Sequence, residues 1–423
     1  MRSWLTYIFL LMVACGTVLT SCSDVLSEEG LGTCDDRTTV QLTLSLSGSG
    51  PMSRDVSADT DGTIPNLDYT TTEQCAMDVD DIYILAFKKE PTDSYTLLDW
   101  VANLELVPSA TKYYEYTIKG RMRPYDATVK FVVLANLHQN NISALNNGMD
   151  AFLTANKGKS PEDIYAQLIY NYDANDTNKG GKWVIDNRRI PMWGETNDAT
   201  LSSTYNQFIN MSGIPLYRAV AKVQIWVGMK NGLAGPDEKF NTDDDFIINQ
   251  IIVNNANEQG YCVSQKELDT NPNIQYTTPD IPNDVTKQSA GISYVPKNEN
   301  VSYQIDGQQN RVQYNDAKQC YADFIYLPEQ VNSDGNEVTI TVKYTYGLDE
   351  NNNPKQGEGT IKFIDNNGYY NVVRNHSYIF NIRGVSDAEE VEPTLFYQVI
   401  NWTTINNGEL IFGNGSGNVN TIE

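Results

Sequence analysis

The chain has 423 residues and carries 54 acidic against 30 basic side chains, which gives a formal net charge of −24. This length is enough for two ordinary domains. The charge argues against nucleic acid and against an anionic lipid surface as partners, because both would repel the protein. Its 26 Tyr, together with many Thr, Val, Asn and Gly, predict exposed β-sheet joined by turn-rich loops.

The N-terminus has the pattern of a lipoprotein signal peptide. Arg2 supplies a positive start, and Leu5–Leu19 is a mostly apolar run that is too short to span a bilayer comfortably. Ser21 directly before Cys22 is the small-residue–Cys pair at which such signals are cut. We therefore expect residues 1–21 to be removed and Cys22 to carry acyl chains that tether the protein to a membrane. The alternative is an ordinary secretory signal followed by an incidental Cys.

Four of the six cysteines remain after the signal and the lipid anchor are set aside: Cys34, Cys75, Cys262 and Cys320. An exported protein meets an oxidising compartment, and four cysteines allow three pairings. We expect Cys262 and Cys320 to form the bridge within one domain. Buried free thiols are the alternative, because a domain of this size has a sufficient hydrophobic core without disulfide bonds.

The first predicted strand after the leader is Thr39–Ser47, in which every second residue is apolar. Its apolar face carries Val40, Leu42, Leu44 and Leu46. The period of two predicts a strand with one buried face. Directly after it, Gly48–Asp55 is rich in Gly, Ser and Pro and predicts an exposed loop that contains Arg54.

Further strands are predicted where Tyr, Val, Ile and Phe are bounded by turn residues. They are Asp81–Lys88, Tyr113–Lys119, Thr128–Asn136, Ala219–Val227, Phe246–Val253, Ala322–Leu327, Glu337–Tyr346, Gly359–Ile364, Ser377–Ile382, Phe396–Trp402 and Glu409–Phe412. A small helical insert interrupts the first half, at Ser143–Asn156 and after Ser160, where Ser160 is a good N-cap and Pro161 a good first helical residue. The pattern predicts a mostly β protein with two antiparallel β-sandwich domains.

Catalytic chemistry has little support in the sequence. The two histidines, His138 and His376, fall in different predicted domains, and neither lies in a recognisable nucleophile or metal motif. We expect both to be partly exposed residues at strand ends. The sequence therefore predicts a protein that is not an enzyme and that needs no cofactor.

The acidic clusters are the remaining candidates for a metal site. Asp173–Asn178 resembles the start of a calcium loop, but Asn178 replaces the Gly of the sixth position and Val184 the Glu of the twelfth. Asp243–Asp245 and Asp78–Asp81 are carboxylate runs of the kind that is usually solvated at strand ends. We expect solvated turns at all three and no metal.

Six short motifs together change this interpretation. They are the lipobox at Cys22, Asp81–Phe87, Val132–Asn136, Ile190–Gly194, Leu216–Val223 and Arg374–Tyr378. In their order and spacing they resemble the FimA-type fimbrial subunits, the type V pilins of Bacteroidetes. We interpret Ile190–Gly194 and Leu216–Val223 as structural, with Arg218 and Lys222 at the surface or in ion pairs.

The resemblance implies two transthyretin-like β-sandwich domains and transport to the outer membrane as a lipoprotein. It further implies that an arginine-specific protease frees the lipid and the first strand, after which the C-terminal strand of another subunit fills the vacated groove. Arg54 is the cleavage candidate; Arg37 is the alternative, although a cut there would leave the first strand in place. The expected division is 1–21 signal peptide, 22–54 lipidated propeptide with the removable strand, 55–225 and 226–394 the two domains, and 395–423 donor-strand tail.

The donor strand would be Phe396–Trp402. Phe396, Gln398, Ile400 and Trp402 share one face, while Tyr397, Val399 and Asn401 share the other. Apolar residues on both faces, including Val399, suit a segment that is enclosed in a groove. The alternative is an ordinary final strand of its own domain.

The resulting hypothesis is an adhesive fimbrial subunit, lipid-anchored in the outer membrane before cleavage and extracellular afterwards. Its partners would be other fimbrial subunits, the processing protease and membrane lipid. The competing hypothesis is a surface glycan-binding lipoprotein with two β-sandwich domains. That hypothesis requires an exposed aromatic platform, for which Trp100, Trp183 and Trp193 are the candidates.

Overall fold

The computed structural model describes residues 37–46, 75–111, 115–138, 142–171, 189–203, 207–227, 246–265, 278–287, 291–294, 303–305, 308–310, 320–351, 353–365, 368–385, 393–401, 404–405, 411–412 and 419–420. The described chain is mostly β, as predicted. Two short helices are present, α1 (Met149–Asn156) and α2 (Pro161–Tyr165), with 3₁₀ turns at Val79–Asp81 and Ser143–Leu145. Within these residues no helix is long and apolar enough to cross a membrane.

The first half is built from eight strands. They are β1 (Thr38–Leu46), β2 (Ile82–Lys89), β3 (Tyr95–Pro108), β4 (Glu115–Met122), β5 (Ala127–Ala135), β6 (Ile169–Asn171), β7 (Met192–Leu201) and β8 (Phe208–Arg218). Seven of them are hydrogen-bonded in a closed order, β1-β4-β3-β2-β5-β7-β8. The long strand β3 pairs with β2 through Tyr95–Val101 and with β4 through Ala102–Pro108, and so passes from one sheet to the other. This arrangement is consistent with a β-sandwich that is closed at its corners.

β1 is a central strand. It pairs with β4 in antiparallel register, from Thr38 opposite Met122 to Ser45 opposite Glu115. On its other side it pairs with β8 in parallel register, with a shift between Leu42 and Leu44. The parallel pair departs from the antiparallel prediction. A parallel pairing joins segments that are far apart in sequence, so local patterns do not reveal it.

The helical insert forms, although the first predicted helix begins at Met149 rather than at Ser143, where there is only a 3₁₀ turn. The Ser160 hydroxyl oxygen accepts a hydrogen bond from the Asp163 backbone N–H at 3.2 Å and so caps α2, in which Pro161 is the first residue. Ile164 and Tyr165 are buried and fix the helix against the sheet. Their burial supplies the stability that a helix of five residues does not have by itself.

The second half contains the strands β9 (Ala221–Val227), β10 (Phe246–Asn254), β11 (Gln259–Tyr261), β12 (Ile292–Tyr294), β13 (Tyr303–Ile305), β14 (Gln308–Asn310), β15 (Cys320–Leu327), β16 (Thr339–Leu348), β17 (Pro354–Lys362), β18 (Ile364–Asp365), β19 (Gly368–Tyr369), β20 (His376–Val385), β21 (Pro393–Asn401), β22 (Thr404–Ile405), β23 (Ile411–Phe412) and β24 (Val419–Asn420). Two larger sheets form, in the orders β12-β10-β16-β17 and β15-β9-β20-β21-β22. β9, most of which lies within the first domain of the expected division (55–225), belongs to the second of these sheets. Its pairing with β20 is again parallel.

The two halves are joined by direct contacts. β6 of the first half pairs with β11 of the second. The Asn375 side-chain oxygen accepts a hydrogen bond from the Arg218 backbone N–H at 3.3 Å, and the Asn375 N–H donates to the Val220 carbonyl at 2.9 Å. Arg218 and Lys222 are fully buried beside this junction rather than lying at the surface. The division into two transthyretin-like domains remains a prediction.

Candidate functional site

β1 fills an apolar slot. Its inward side chains are at most 1% exposed, and they are Thr38, Val40, Leu42, Leu44 and Leu46. Several of their cross-strand neighbours are also buried, namely Ile118 and Met122 on β4 and Ile214 and Leu216 on β8, while Ile209 and Met211 on β8 are half-buried. The slot therefore holds four aliphatic side chains of one strand and excludes water from them.

The backbone edges of the slot belong to two different strands. β1 exchanges ladder hydrogen bonds with β4 on one side and with β8 on the other. The Gln41 amide adds a side-chain hydrogen bond to the Asn210 side-chain oxygen at 3.4 Å on the outer face. If β1 left, rows of N–H and C=O groups on both neighbours would lose their partners beside an apolar surface.

β8 is supported unevenly along its length. It pairs with β7 only through Arg218 opposite Met192 and Tyr217 opposite Trp193. The two strands remain close at Gly194, where a Cβ atom would lie 2.2 Å from the Pro215 carbonyl oxygen. From Phe208 to Leu216, β1 is the sheet neighbour of β8 among the described residues.

The predicted processing residues are placed only in part. Cys22 and Arg54 lie outside the described residues, so the lipid anchor and the cleavage site stay predictions. Arg37 lies directly before β1 and is half-buried. Within the described chain its Nε is buried and has no hydrogen-bond partner. A protease would have to draw Arg37 out of this position.

The predicted donor segment lies between β20 and the short strand β22 in a sheet of its own half. β21 pairs antiparallel with β20, which places Phe396 opposite Asn381, Gln398 opposite Ile379 and Val399 opposite Tyr378. Ile400 lies opposite Ser377 on β20, and on its other side it is paired with β22. Trp402 lies outside the described residues. The tail strand is therefore folded onto its own sheet in this structure, and its donor role stays a prediction.

The histidines occupy different environments. His138 is exposed after β5, and its backbone N–H donates to the Asp81 carboxylate at 2.8 Å. Burial raises the pKa of Asp81 to about 6, although backbone donors including that of His138 oppose the rise. His376 is buried rather than partly exposed, with Nδ1 2.7 Å from the Arg374 carbonyl oxygen, and burial lowers its pKa. Among the described residues no group of His, Cys, Asp and Glu is arranged to hold a metal ion.

A buried ion pair directly before β20 was not predicted from the sequence. The Arg374 guanidinium contacts the Glu329 carboxylate through Nε at 2.7 Å and Nη2 at 2.6 Å, and both residues are at most 2% exposed. Glu329 also accepts from the Arg374 backbone N–H at 3.1 Å and from that of Asp280 at 3.3 Å. The pair fixes the start of β20 to the segment that follows β15. The motif Arg374–Tyr378 contributed to the family resemblance but did not reveal the distant partner of Arg374.

The remaining predicted residues are mostly internal. Trp193 is 1% exposed, Trp100 lies beneath the Lys157 ammonium at 4.6 Å from the ring centroid, and Trp183 is outside the described residues. Cys75 and Cys262 are buried, and the Arg218 guanidinium lies 3.4 Å from the Cys75 Sγ. The pairing of the four cysteines stays a prediction.

No family model and no curated protein matches the chain. Solved structures do. The chain is similar to fimbrial proteins. The tip fimbrial protein Mfa3 of Porphyromonas gingivalis matches 86% of this chain and 100% of its own at 13% identity, with a TM-score of 0.43. A fimbrilin (FimA) of the same organism matches 88% of this chain and 99% of its own at 12% identity, with a TM-score of 0.42. The fimbrial anchor protein Mfa2 of Porphyromonas gingivalis matches 88% of this chain and 100% of its own at 11% identity, with a TM-score of 0.32.

These structures come from the same group of proteins that the sequence motifs resemble. At such identities and TM-scores the similarity carries no argument about mechanism. The feature of the fold that bears on function is the slot that β1 occupies.

Proposed function

We propose that this protein is a structural subunit of surface fimbriae that polymerises when its first strand is replaced by a strand of a neighbouring subunit. The observation that carries the proposal is the position of β1 (Thr38–Leu46) in a slot between β4 and β8. Replacement of a central strand restores both backbone ladders and the buried apolar face at once. Loss of the same strand without replacement leaves both exposed.

The geometry of such an assembly is head-to-tail. The slot lies in the first half of the chain, and the segment proposed to fill it, β21 with the following Trp402, lies in the second half. A contact between two different surfaces of identical subunits does not close on itself unless its rotation forms a ring, so it builds a filament. β21 and β1 both have nine residues, which matches the length of the slot.

Processing supplies the trigger in this proposal. A lipid on Cys22 would hold the precursor at the outer membrane, and an arginine-specific protease would cut after Arg54. The cut would separate the lipid and β1 from the remaining chain except for the contacts within the slot. Adhesion would be the property of the filament.

The glycan-binding alternative is less well supported. Stacking on a sugar requires an exposed aromatic face, whereas Trp193 is buried and one face of Trp100 is covered by Lys157. The Lys157 ammonium is further held by the Asp99 carboxylate at 3.0 Å. Neither described tryptophan of this group forms a sugar-binding platform.

Limited digestion tests the proposal directly. The purified precursor is treated with an arginine-specific protease beside the variants Arg54→Ala and Arg37→Ala, and products are read by N-terminal sequencing and on an unboiled gel. The expected result is one cut after Arg54 and a ladder of oligomers, lost in Arg54→Ala and kept in Arg37→Ala. A cut product that stays monomeric at high concentration would overturn the polymerisation model.

A further inference from the structure

We infer that an incoming strand enters the slot at the Thr38 end of β1 and displaces β1 toward Leu46; this inference rests on the function proposed above. The partner is an extended β-segment, the C-terminal strand β21 of a second copy. A cut after Arg54 would create the new chain end on the Leu46 side, so the incoming strand would enter at the end of β1 that is remote from the cut.

The two ends of the slot are held differently. At the Leu46 end, Leu44 and Leu46 pair with Ile214 and Leu216 on β8, which are 4% and 0% exposed. Just beyond them, Tyr217 and Arg218 tie β8 to β7. β8 is therefore clamped between two neighbours at this end, and a strand that left here would have to break a fully buried contact first.

The Thr38 end has no backbone ladder between β8 and β7. The two strands are joined there by the Gln207 side chain, which accepts from the Ser202 backbone N–H at 2.8 Å and donates to the Thr200 carbonyl at 2.9 Å. There β1 pairs with Phe208–Met211, in which Ile209 and Met211, the neighbours of Val40 and Leu42, are half-buried rather than buried, and Phe208 on the outer face is 54% exposed. Among the described residues this part of β8 has no other sheet neighbour. The register shift between Leu42 and Leu44, where Gly213 has a φ of 72°, separates the two halves of the ladder.

Polar groups weaken the same end. Thr38 is fully buried on the inward face, yet its hydroxyl has no hydrogen-bond partner in the described chain, and neither has Nε of Arg37. A buried hydroxyl without a partner costs stability that an isosteric Val would not cost. The first inward position of β1 is thus its poorest fit, and the four that follow are aliphatic.

Hydrogen exchange on the intact full-length chain tests the inference without requiring any strand exchange. Amides of Thr39–Leu42 and of Phe208–Ser212 are expected to exchange roughly tenfold or more faster than those of Leu44–Leu46, Ile214, Leu216 and Tyr217, because local opening starts where contacts are fewest. Equal protection at both ends, or the reverse gradient, would overturn the inference.

Strand-exchange kinetics form the second arm, measured as uptake of a labelled peptide with the sequence of residues 393–405 by the cleaved protein. Leu42→Ala and Leu46→Ala are a matched pair, since both remove the same atoms from a fully buried site. Leu42→Ala is expected to speed peptide uptake by roughly tenfold or more. Leu46→Ala is expected to speed it by far less when each acceleration is compared with the loss of folding stability in the same variant. The milder pair Leu42→Val and Leu46→Val replaces them if either fails to fold.

Thr38→Val is expected to slow uptake by roughly tenfold, because it removes the uncompensated hydroxyl. The matched control is Thr43→Val on the outward face, which should leave the rate nearly unchanged. A larger acceleration in Leu46→Ala than in Leu42→Ala would overturn the inference. If no variant takes up peptide at all, the proposed function fails, whereas the exchange gradient still decides which end of β1 opens.

Discussion

Removal of β1 is the perturbation that most directly tests the reasoning about the slot. Four aliphatic side chains, Val40, Leu42, Leu44 and Leu46, are at most 1% exposed in the folded chain. Full burial of such a side chain contributes about 1.5–3 kcal/mol, so the four together contribute about 6–12 kcal/mol. This is about the whole stability of an ordinary domain, roughly 5–15 kcal/mol. A chain that begins at residue 55 should therefore lose the cooperative fold of its first half.

The assay compares urea unfolding of the full chain with that of the chain beginning at residue 55, alone and with a synthetic peptide of residues 37–47. We expect the shortened chain to show a lower midpoint and a smaller m-value for the first half, because less surface is left to expose. The peptide should restore both in a concentration-dependent way. A peptide with Leu42→Asp and Leu44→Asp should not restore either. An unchanged midpoint and m-value in the shortened chain would refute the idea that β1 completes the fold.

Three further predictions concern residues around the slot and the second half. Arg374→Met should destabilise the protein by roughly 3–5 kcal/mol because it leaves the buried Glu329 unpaired, while the double variant Arg374→Met with Glu329→Leu should recover most of this loss in urea unfolding. Since the folded pKa of Asp81 is raised from 3.8 to about 6, the native state binds this proton more tightly, and stability should fall as pH rises between these values; Asp81→Asn should remove that slope in unfolding measured across pH 3.5–7. Gly194→Ala should cost about 1–3 kcal/mol, because its methyl group would overlap the Pro215 carbonyl oxygen, and a thermal shift of the variant checks this value.

The local sequence pattern was sufficient to predict those elements whose own residues favour the observed secondary structure. The alternation from Val40 to Leu46 predicted a strand with one buried face, and the structure confirms both the strand and its burial. Ser160 and Pro161 predicted a helix start that forms at that point. In both cases the signal lies within a few residues and agrees with the tertiary environment.

Strand pairs and ion pairs between residues that are distant in sequence could not be predicted from local pattern in the same way. β3 (Tyr95–Pro108), β7 (Met192–Leu201) and β8 (Phe208–Arg218) were not predicted, although together they form much of the first sheet system. β7 and β8 contain Asn, Asp, Gly and Pro, which favour turns when considered locally. Their strand conformation is imposed by pairing, with β5 for β7 and with β1 for β8. The buried partner of Arg374 was missed for the same reason, since Glu329 is 45 residues away.

The mixed pairing of β1 has a consequence for what the slot can accept. β1 is antiparallel to β4 and parallel to β8, so a strand that entered in the opposite direction would be parallel to β4 and antiparallel to β8. Either direction gives one ladder of each kind, and the two kinds differ little in stability per residue. Backbone hydrogen bonding therefore does not fix the direction of the incoming strand. The side chains select which strand is accepted, because only a strand that places an apolar residue at every second position can fill the sites of Val40, Leu42, Leu44 and Leu46.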